Sequence, residues 1–230
     1  MMNKGYILSE QSTLFGGREV IGFGGDGFCV KEIQRDVANS VIKENHYSKK
    51  FYSASYIHLG VFTDRLLGVL QLGYAMNPAS QCGVVADTKI DEYLELNRMW
   101  LDDELPRNSE SMAISYAIKY IKKKYPKISW IQSFADERCG CLGVVYQAAN
   151  FLYCGEHSAT FWEYEGTFYH NIIMTAKLGK QGPAGIVLQN NKDKATKHVL
   201  RQFRYIYFIK RFAKKNLLLK TEQYPKRAAI

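Results

Sequence analysis

No apolar run in this 230-residue chain is long enough to span a bilayer, for which about 20 predominantly apolar residues are needed. The N-terminal stretch Met1–Gly17 has an early lysine but no apolar segment of signal-peptide length. Both absences point to a cytoplasmic protein without membrane contact. Cysteine is sparse: five residues, an odd number, without the density of a disulfide scaffold. Cys139 and Cys141 are one residue apart and Cys82 and Cys154 stand alone, so the paired spacing of a zinc or thioredoxin-like site is missing and reduced thiols are expected. No internal repeat is visible. The glycines of "GFGGDGF" are not set in a strand-turn-helix frame, so they read as a loop and not as a dinucleotide fingerprint.

What the chain does have is localised charge. The net charge is +9, and Lys192–Ile230 holds twelve Lys or Arg against Asp193 and Glu222, so that stretch carries +10 and the remainder −1. Basicity confined to one segment and interleaved with aromatics is the footprint of a nucleic-acid binder. Candidate phosphate contacts are Lys197, Arg201, Arg204, Lys210, Arg211, Lys214 and Lys215, on an expected helix from about Ala195. Residues 179–191 read as a linker, which divides the chain into a body, 1–178, and a basic extension, 179–230.

The body shows alternating periodicities. "VKEIQRDVANSVIKENHYS" has helical spacing at Val30, Ile33, Val37, Val41 and Ile42. "ASYIHLGVFTDRLLGVLQLGYAM" reads as a hairpin turning at Asp64-Arg65, and "YLELNRMWL" as a strand over 93–101. "SMAISYAIKYIKKKYP" is an amphipathic helix with Asn108 or Ser109 at its cap, Glu110 in its first turn and Lys122–Lys124 in its last. A buried strand "ISWIQSFAD", a short helix "GVVYQAANF" and a closing hairpin turning at Glu165-Gly166 follow. Residues 1–29 read as irregular. Strands alternating with crossover helices predict an α/β layered fold.

The run of strand, long helix, strand and short helix, ending in "YQAANFLYCG", resembles the GCN5-related N-acetyltransferase fold. That resemblance implies a mixed β-sheet flanked by helices, here with a basic helical C-terminal extension, and a coenzyme A thioester such as acetyl-CoA as donor. The loop before the long helix, "LPRNSES", has no glycine, so anion binding rests there on the helix N-terminus with Arg107, Ser109 and Ser111. Three blocks together, "NHYSKK", "LELNRMWLDDELPRNSES" and "SFADERCGCLGVVYQAANFLYCGE", resemble the Mom family of Mu-like bacteriophages over roughly residues 40–175. The resemblance implies conversion of adenine in double-stranded DNA to N6-methylcarbamoyladenine, which hides phage DNA from host restriction.

Candidate site residues follow. Asp136 ends a strand at the carboxyl edge where α/β ligand sites form, and is placed to accept a proton from the adenine amine or to hold it. His46 titrates near neutrality, and Tyr47 suits hydrogen bonding or stacking with an extruded base, with Phe51 and Tyr52 nearby. Arg98, placed by alternation opposite Asn97 and Met99, needs a partner: a phosphate of the cofactor, or Asp102 or Glu95. Ser111 faces the donor, and Tyr146 occupies the place where similar acyltransferases protonate the leaving thiolate. An iron site from His46, Asp136 and Tyr47 is chemically allowed, although no spacing indicates a metal. The partner is duplex DNA, and a homodimer is compatible with the sequence. Two alternatives stay open: a conventional N-acetyltransferase of a small amine or protein, and a non-catalytic DNA-binding protein.

Overall fold

The computed structural model describes residues 5–9, 19–25, 27–137, 140, 142–171, 173 and 182–226. Its strands are β1 (Gly5–Ser9), β2 (Glu19–Gly24), β3 (Cys29–Glu32), β4 (Ser55–Phe62), β5 (Leu66–Gly73), β6 (Tyr93–Leu101), β7 (Trp130–Asp136), β8 (Leu152–Tyr164), β9 (Thr167–His170) and β10 (Thr196–Phe208). Its α-helices are α1 (Arg35–Asn45), α2 (Ser109–Lys124), α3 (Val144–Ala148) and α4 (Pro183–Asn190). The strands join in one sheet in the order β1-β2-β3-β4-β5-β6-β7-β10-β8-β9. Every neighbouring pair is antiparallel except β6–β7.

That parallel pair shapes the molecule. β6 and β7 are in register only across Tyr93–Glu95 and Trp130–Gln132. Beyond a last link, from Ser133 Oγ to Leu96 O at 3.3 Å, the strands part. At its root Trp130 stacks on Tyr93 with centroids 4.6 Å apart. A second irregularity lies beside the gap: Leu72 pairs with Leu96 but Gln71 with Arg98, so Asn97 is an extra residue on β6. Such a bulge resets the alternation of a strand and re-aims its side chains.

The two faces of the sheet are covered differently. α2 lays Ala113, Ile114, Ala117, Ile118 and Ile121 on a core that includes Leu70, Leu72, Leu94, Leu96, Ile131, Ala135, Phe203 and Tyr205. α1 covers the other face, packing Ala38 and Ile42 on Val69 and Trp100. Both the loop leading into α2 and the loop leading into α3 leave the carboxyl ends of the parted strands, where ligand sites of α/β sheets form. Gly143, just before α3, has φ +72°; a Cβ there would stand 2.4 Å from the Tyr205 ring, so the close approach and the left-handed backbone both require glycine.

Several sequence expectations are corrected. The basic segment after Ala195 is not a helix but the strand β10, inserted between β7 and β8. Its β-branched and aromatic residues alternate, and Phe203 and Tyr205 are buried on the α2 face, so burial decides the period. The helix expected from Val30 starts at Arg35. Val30 belongs to β3, paired with Val61. The glycine-rich start contains β1 and β2, paired through five residues. The expected linker contains α4, which opens on Pro183 in the position where a missing N–H costs nothing. Neither Asn108 nor Ser109 caps α2 with its side chain; Asn108 turns the chain with φ 70°. The hairpins at Asp64-Arg65 and Glu165-Gly166 form as expected, the latter with φ 49° and 70° at its two turn residues. Cys29, Cys82 and Cys154 are free thiols, and Cys139-x-Cys141 lies outside the described residues. Among the described residues no helix is long and apolar enough to cross a membrane.

Candidate active site

On the face covered by α1, the parted strands bring together a cluster of polar side chains, the cup. Residues 130, 132, 134 and 136 of β7 share that face, because Ile131 and Ala135 belong to the α2 core. Asp136 is 7% exposed at the end of β7, in register with Gln202 of β10. Phe134 packs edge-on against His157, with centroids 5.4 Å apart, and carries the Arg204 guanidinium 5.1 Å above its ring. Strict alternation would put Glu95 and Arg98 on opposite faces. The bulge at Asn97 brings both beside Tyr52, whose phenol is pushed up by burial and by Glu95.

Glu95 is the chemically distinctive member of this cluster. Its Oε2 accepts Gln132 Nε2 at 2.9 Å and its Oε1 accepts Asn97 Nδ2 at 3.3 Å. Burial raises its pKa to about 7, against the opposing pull of those two hydrogen bonds and of Arg98 and Arg204. Because the folded value lies above the ordinary 4.5, the folded state holds the proton more tightly than the unfolded chain. Stability at this residue is therefore full below pH 4.5 and lost as pH rises through about 7. The loss is on the order of 3 kcal/mol. Thermal melts of Glu95→Gln and wild-type protein should coincide near pH 5 and separate by pH 8, with the variant more stable; equal separation at both values would contradict the shift.

The rim is built by the segment after α1. His46 closes the helix, its N–H donating to Ile42 O at 3.1 Å, and is only 6% exposed. Its Nδ1 accepts the Ser48 N–H at 3.1 Å, so a neutral ring carries its proton on Nε2. Tyr47 is 57% exposed and lies over the His46 ring at 4.2 Å. Lys50 then ties the rim across the cup: its O accepts Arg98 Nε at 3.0 Å, and its Nζ donates to Phe168 O at 3.3 Å, 4.2 Å above the Tyr169 ring. The sheet therefore curls far enough for one loop to touch both β6 and β9.

The other sequence candidates separate from this cup. Tyr146 is buried on the α2 face between Phe151 and Tyr205. Ser111 lines a groove between α2 and α3 with Ser115, Lys119 and Ala148. Its hydroxyl donates to Asn108 O, as that of Ser109 does to Pro106 O, so neither proton points outward. Arg107 is exposed before the helix. Arg98 is on the α1 face, donating to backbone carbonyls of Lys50 and Asn97, apart from the serines expected to share a cofactor with it. Lys119 of the groove and Glu95 and Gln132 of the cup are not among the sequence candidates for catalysis or cofactor binding; their roles depend on cross-strand neighbours that no local pattern announces. Among the described residues no three His, Cys, Asp or Glu side chains group as a metal site.

The basic residues also divide. β10 runs antiparallel to β7, with Gln202 opposite Asp136 and Phe208 opposite Trp130. Lys210 follows at the far end, donating to Lys127 O at 3.1 Å, more than about 20 Å from Asp136 at a strand rise of about 3.3 Å per residue. Arg211, Lys214 and Lys215 are exposed there. Arg201 is engaged by Glu137 at 2.9 Å and Glu156 at 3.4 Å, and Arg204 is half-buried inside the cup. Lys197 is exposed on the mouth side. A single basic helix leading to the mouth is thus replaced by two cationic surfaces.

Comparison with known proteins decides the family. The Mom protein family model matches residues 27–226. The chain belongs to the Mom family. The Methylcarbamoylase mom of Escherichia phage Mu is 48% identical over 227 residues, 97% of this chain and 94% of that protein. The match takes in the strands that form the cup, β4 to β10. Among solved structures, an acetyltransferase of the GNAT family from Streptococcus pneumoniae is similar with TM-score 0.44 and 11% identity over 79% of this chain and 98% of that one. An N-acetyltransferase from Staphylococcus aureus gives 0.44 and 9% over 79% and 97%. An Arabidopsis thaliana protein solved in complex with acetyl-CoA gives 0.46 and 9% over 79% and 99%. This Mom chain is a transferase with a mixed α/β sheet.

Proposed function

We propose that this chain transfers a methylcarbamoyl group to N6 of adenine in double-stranded DNA, protecting phage DNA from host restriction, with the reaction in the cup between β6 and β7. The observation that carries this reading is the near full-length match to a methylcarbamoylase, combined with the enclosed carboxyl, amide and imidazole groups on one face of a split sheet.

The target amine is weak, because its lone pair is delocalised into the purine ring, and in a duplex it is paired and stacked. The base must leave the stack at a cost of a few kcal/mol. Tyr47, Phe51 and Tyr52 line the approach to receive it, and Asp136 at the mouth holds the extruded base. His46, fixed by Ser48, presents Nε2–H as a hydrogen-bond donor. A coenzyme A thioester or a relative supplies an electrophilic carbonyl. The residues present fit such a donor: the backbones of β6 and β7 are unpaired beyond Ser133, and the α2–α3 groove offers the Lys119 ammonium to an anionic group. Tyr146, on the α2 face, gives a proton to the leaving group. Host DNA from cells expressing the chain, digested to nucleosides, should contain deoxyadenosine carrying a methylcarbamoyl substituent. An N-acetyltransferase of small amines would leave the DNA unaltered.

Duplex phosphates are held by the cations of both surfaces, Lys197 at the mouth and Lys210, Arg211, Lys214 and Lys215 at the far end. Removing one phosphate-binding cation should lower the slope of log affinity against log salt by about 0.9. Changing the four far-end cations together to alanine should therefore flatten that slope by about 3 if three of them touch phosphate. An unchanged slope would remove them from the interface.

A further inference from the structure

Glu95 stands at the last β6 residue paired with β7, where the strands begin to part. Both its oxygens are held, by Gln132 and by Asn97. Asn97 is fixed in turn, because its Oδ1 accepts Ser55 Oγ at 2.8 Å. Gln132 is 4% exposed, and its Oε1 is buried without a hydrogen-bond partner among the described residues. A buried acceptor of this kind is disfavoured unless a donor arrives. The charged and titratable groups facing Glu95 are Arg98 and Tyr93 from β6, Arg204 from β10 and Tyr52 from the rim; Cys154 of β8 faces Arg204. The partly buried carboxyl is thus oriented, among groups that permit either protonation state, next to an amide oxygen open to a donor.

We propose that Glu95 is a second functional carboxylate of this site, taking the proton that the amine nucleophile loses while Gln132 positions the carboxylate and accepts the other amine N–H. The proposal rests on the reading that the adenine amine reacts in this cup. As the N6–carbon bond forms to the carbonyl carbon of an activated acyl-type donor, the N6–H bond breaks, its electron pair stays on nitrogen and the proton passes to Glu95. The donor's leaving group departs with the electrons of its bond to that carbon. A proton acceptor works best when its pKa lies near the working pH, and the burial of Glu95 places it there. Asp136, at the mouth, then holds the extruded base and does not compete for the same proton.

The test compares wild type, Glu95→Gln and Gln132→Ala in two assays: modified deoxyadenosine in host DNA at matched protein levels, and carboxyl NMR of the purified chain against pH. Glu95→Gln should lose at least 100-fold of the modification while binding duplex DNA as wild type does. In the purified wild type the Glu95 carboxyl should titrate near neutral pH. In Gln132→Ala, which removes a donor to the carboxylate, it should titrate at still higher pH. Modification by Glu95→Gln at the wild-type level, or a Glu95 that titrates in the ordinary carboxylate range, would overturn the proposal. Should Glu95→Gln fail to fold, the two titrations decide. Host DNA left unmodified by the wild type would instead defeat the functional reading itself, so the two failures are separable.

Discussion

Asp136→Ala is expected to abolish adenine modification, lowering it at least 100-fold, while duplex affinity stays within about twofold of wild type. Asp136 sits where a strand's carboxyl end opens on the gap, 7% exposed, on the same face as Gln132 and Phe134. On the proposed reading a carboxylate at that point meets the extruded base, whereas the phosphates are met by lysines elsewhere: Lys197 on β10 and the far-end cluster more than about 20 Å away. Chemistry and affinity therefore separate by position. Modification is read from nucleosides of host DNA and affinity from titration of a labelled duplex. A variant that modifies DNA fully would remove Asp136 from the site. A variant that loses binding and modification together would assign it to phosphate-face architecture.

Trp130→Ala should destabilise the fold by about 3–5 kcal/mol, the range for removing a buried large aromatic. Trp130 is fully buried, stacks on Tyr93 with an interplanar angle of 19° and donates Nε1–H to Thr88 Oγ1 at 3.2 Å. Val84, Val85 and Ile206 close round it. Because β6 and β7 are in register through only three residues each, with Trp130 among them, this stack holds the root of the gap. For a chain of this size the loss corresponds to a fall in melting temperature on the order of 10 °C. Trp130→Phe, which keeps a ring against Tyr93, should lose less than half as much. A shift under about 1 kcal/mol for the alanine variant, below the range for any buried aromatic, would show that the root is held by other contacts.

Much of the frame is legible in the residues themselves. Helix α2 announces itself by its apolar stripe and terminal charges, and the hairpins by Asp64-Arg65 and Glu165-Gly166. Strand β6, strand β7 and helix α3 appear within a few residues of their expected limits. These are local signals, each carried by its own segment. What the sequence hides is non-local. β10 reads as a helix because its cations dominate the pattern; Phe203 and Tyr205 alternate beneath them, and only insertion between β7 and β8 gives that alternation its meaning. The bulge at Asn97 exists through its pairing with β5, so Arg98 cannot be assigned a face from alternation alone. The proton affinity of Glu95 is raised by its burial, against the pull of Asn97, Gln132, Arg98 and Arg204, and Gln132 and Arg204 are distant in the chain. Asp136 and His46 are brought to the same half of the molecule as the gap, whereas Ser109 and Ser111 turn their hydroxyls back on their own turn.

The central claim is that adenine reacts in the cup between β6 and β7 and is not merely bound at a basic surface. Photo-crosslinking of the full chain to a duplex containing one azido-adenine, followed by peptide mapping, tests this most directly. The account predicts adducts on the peptides containing His46–Tyr52, Glu95–Arg98 or Gln132–Asp136, reduced by an unlabelled competitor duplex. Adducts confined to Lys122–Lys127 and Lys210–Lys215 would contradict it.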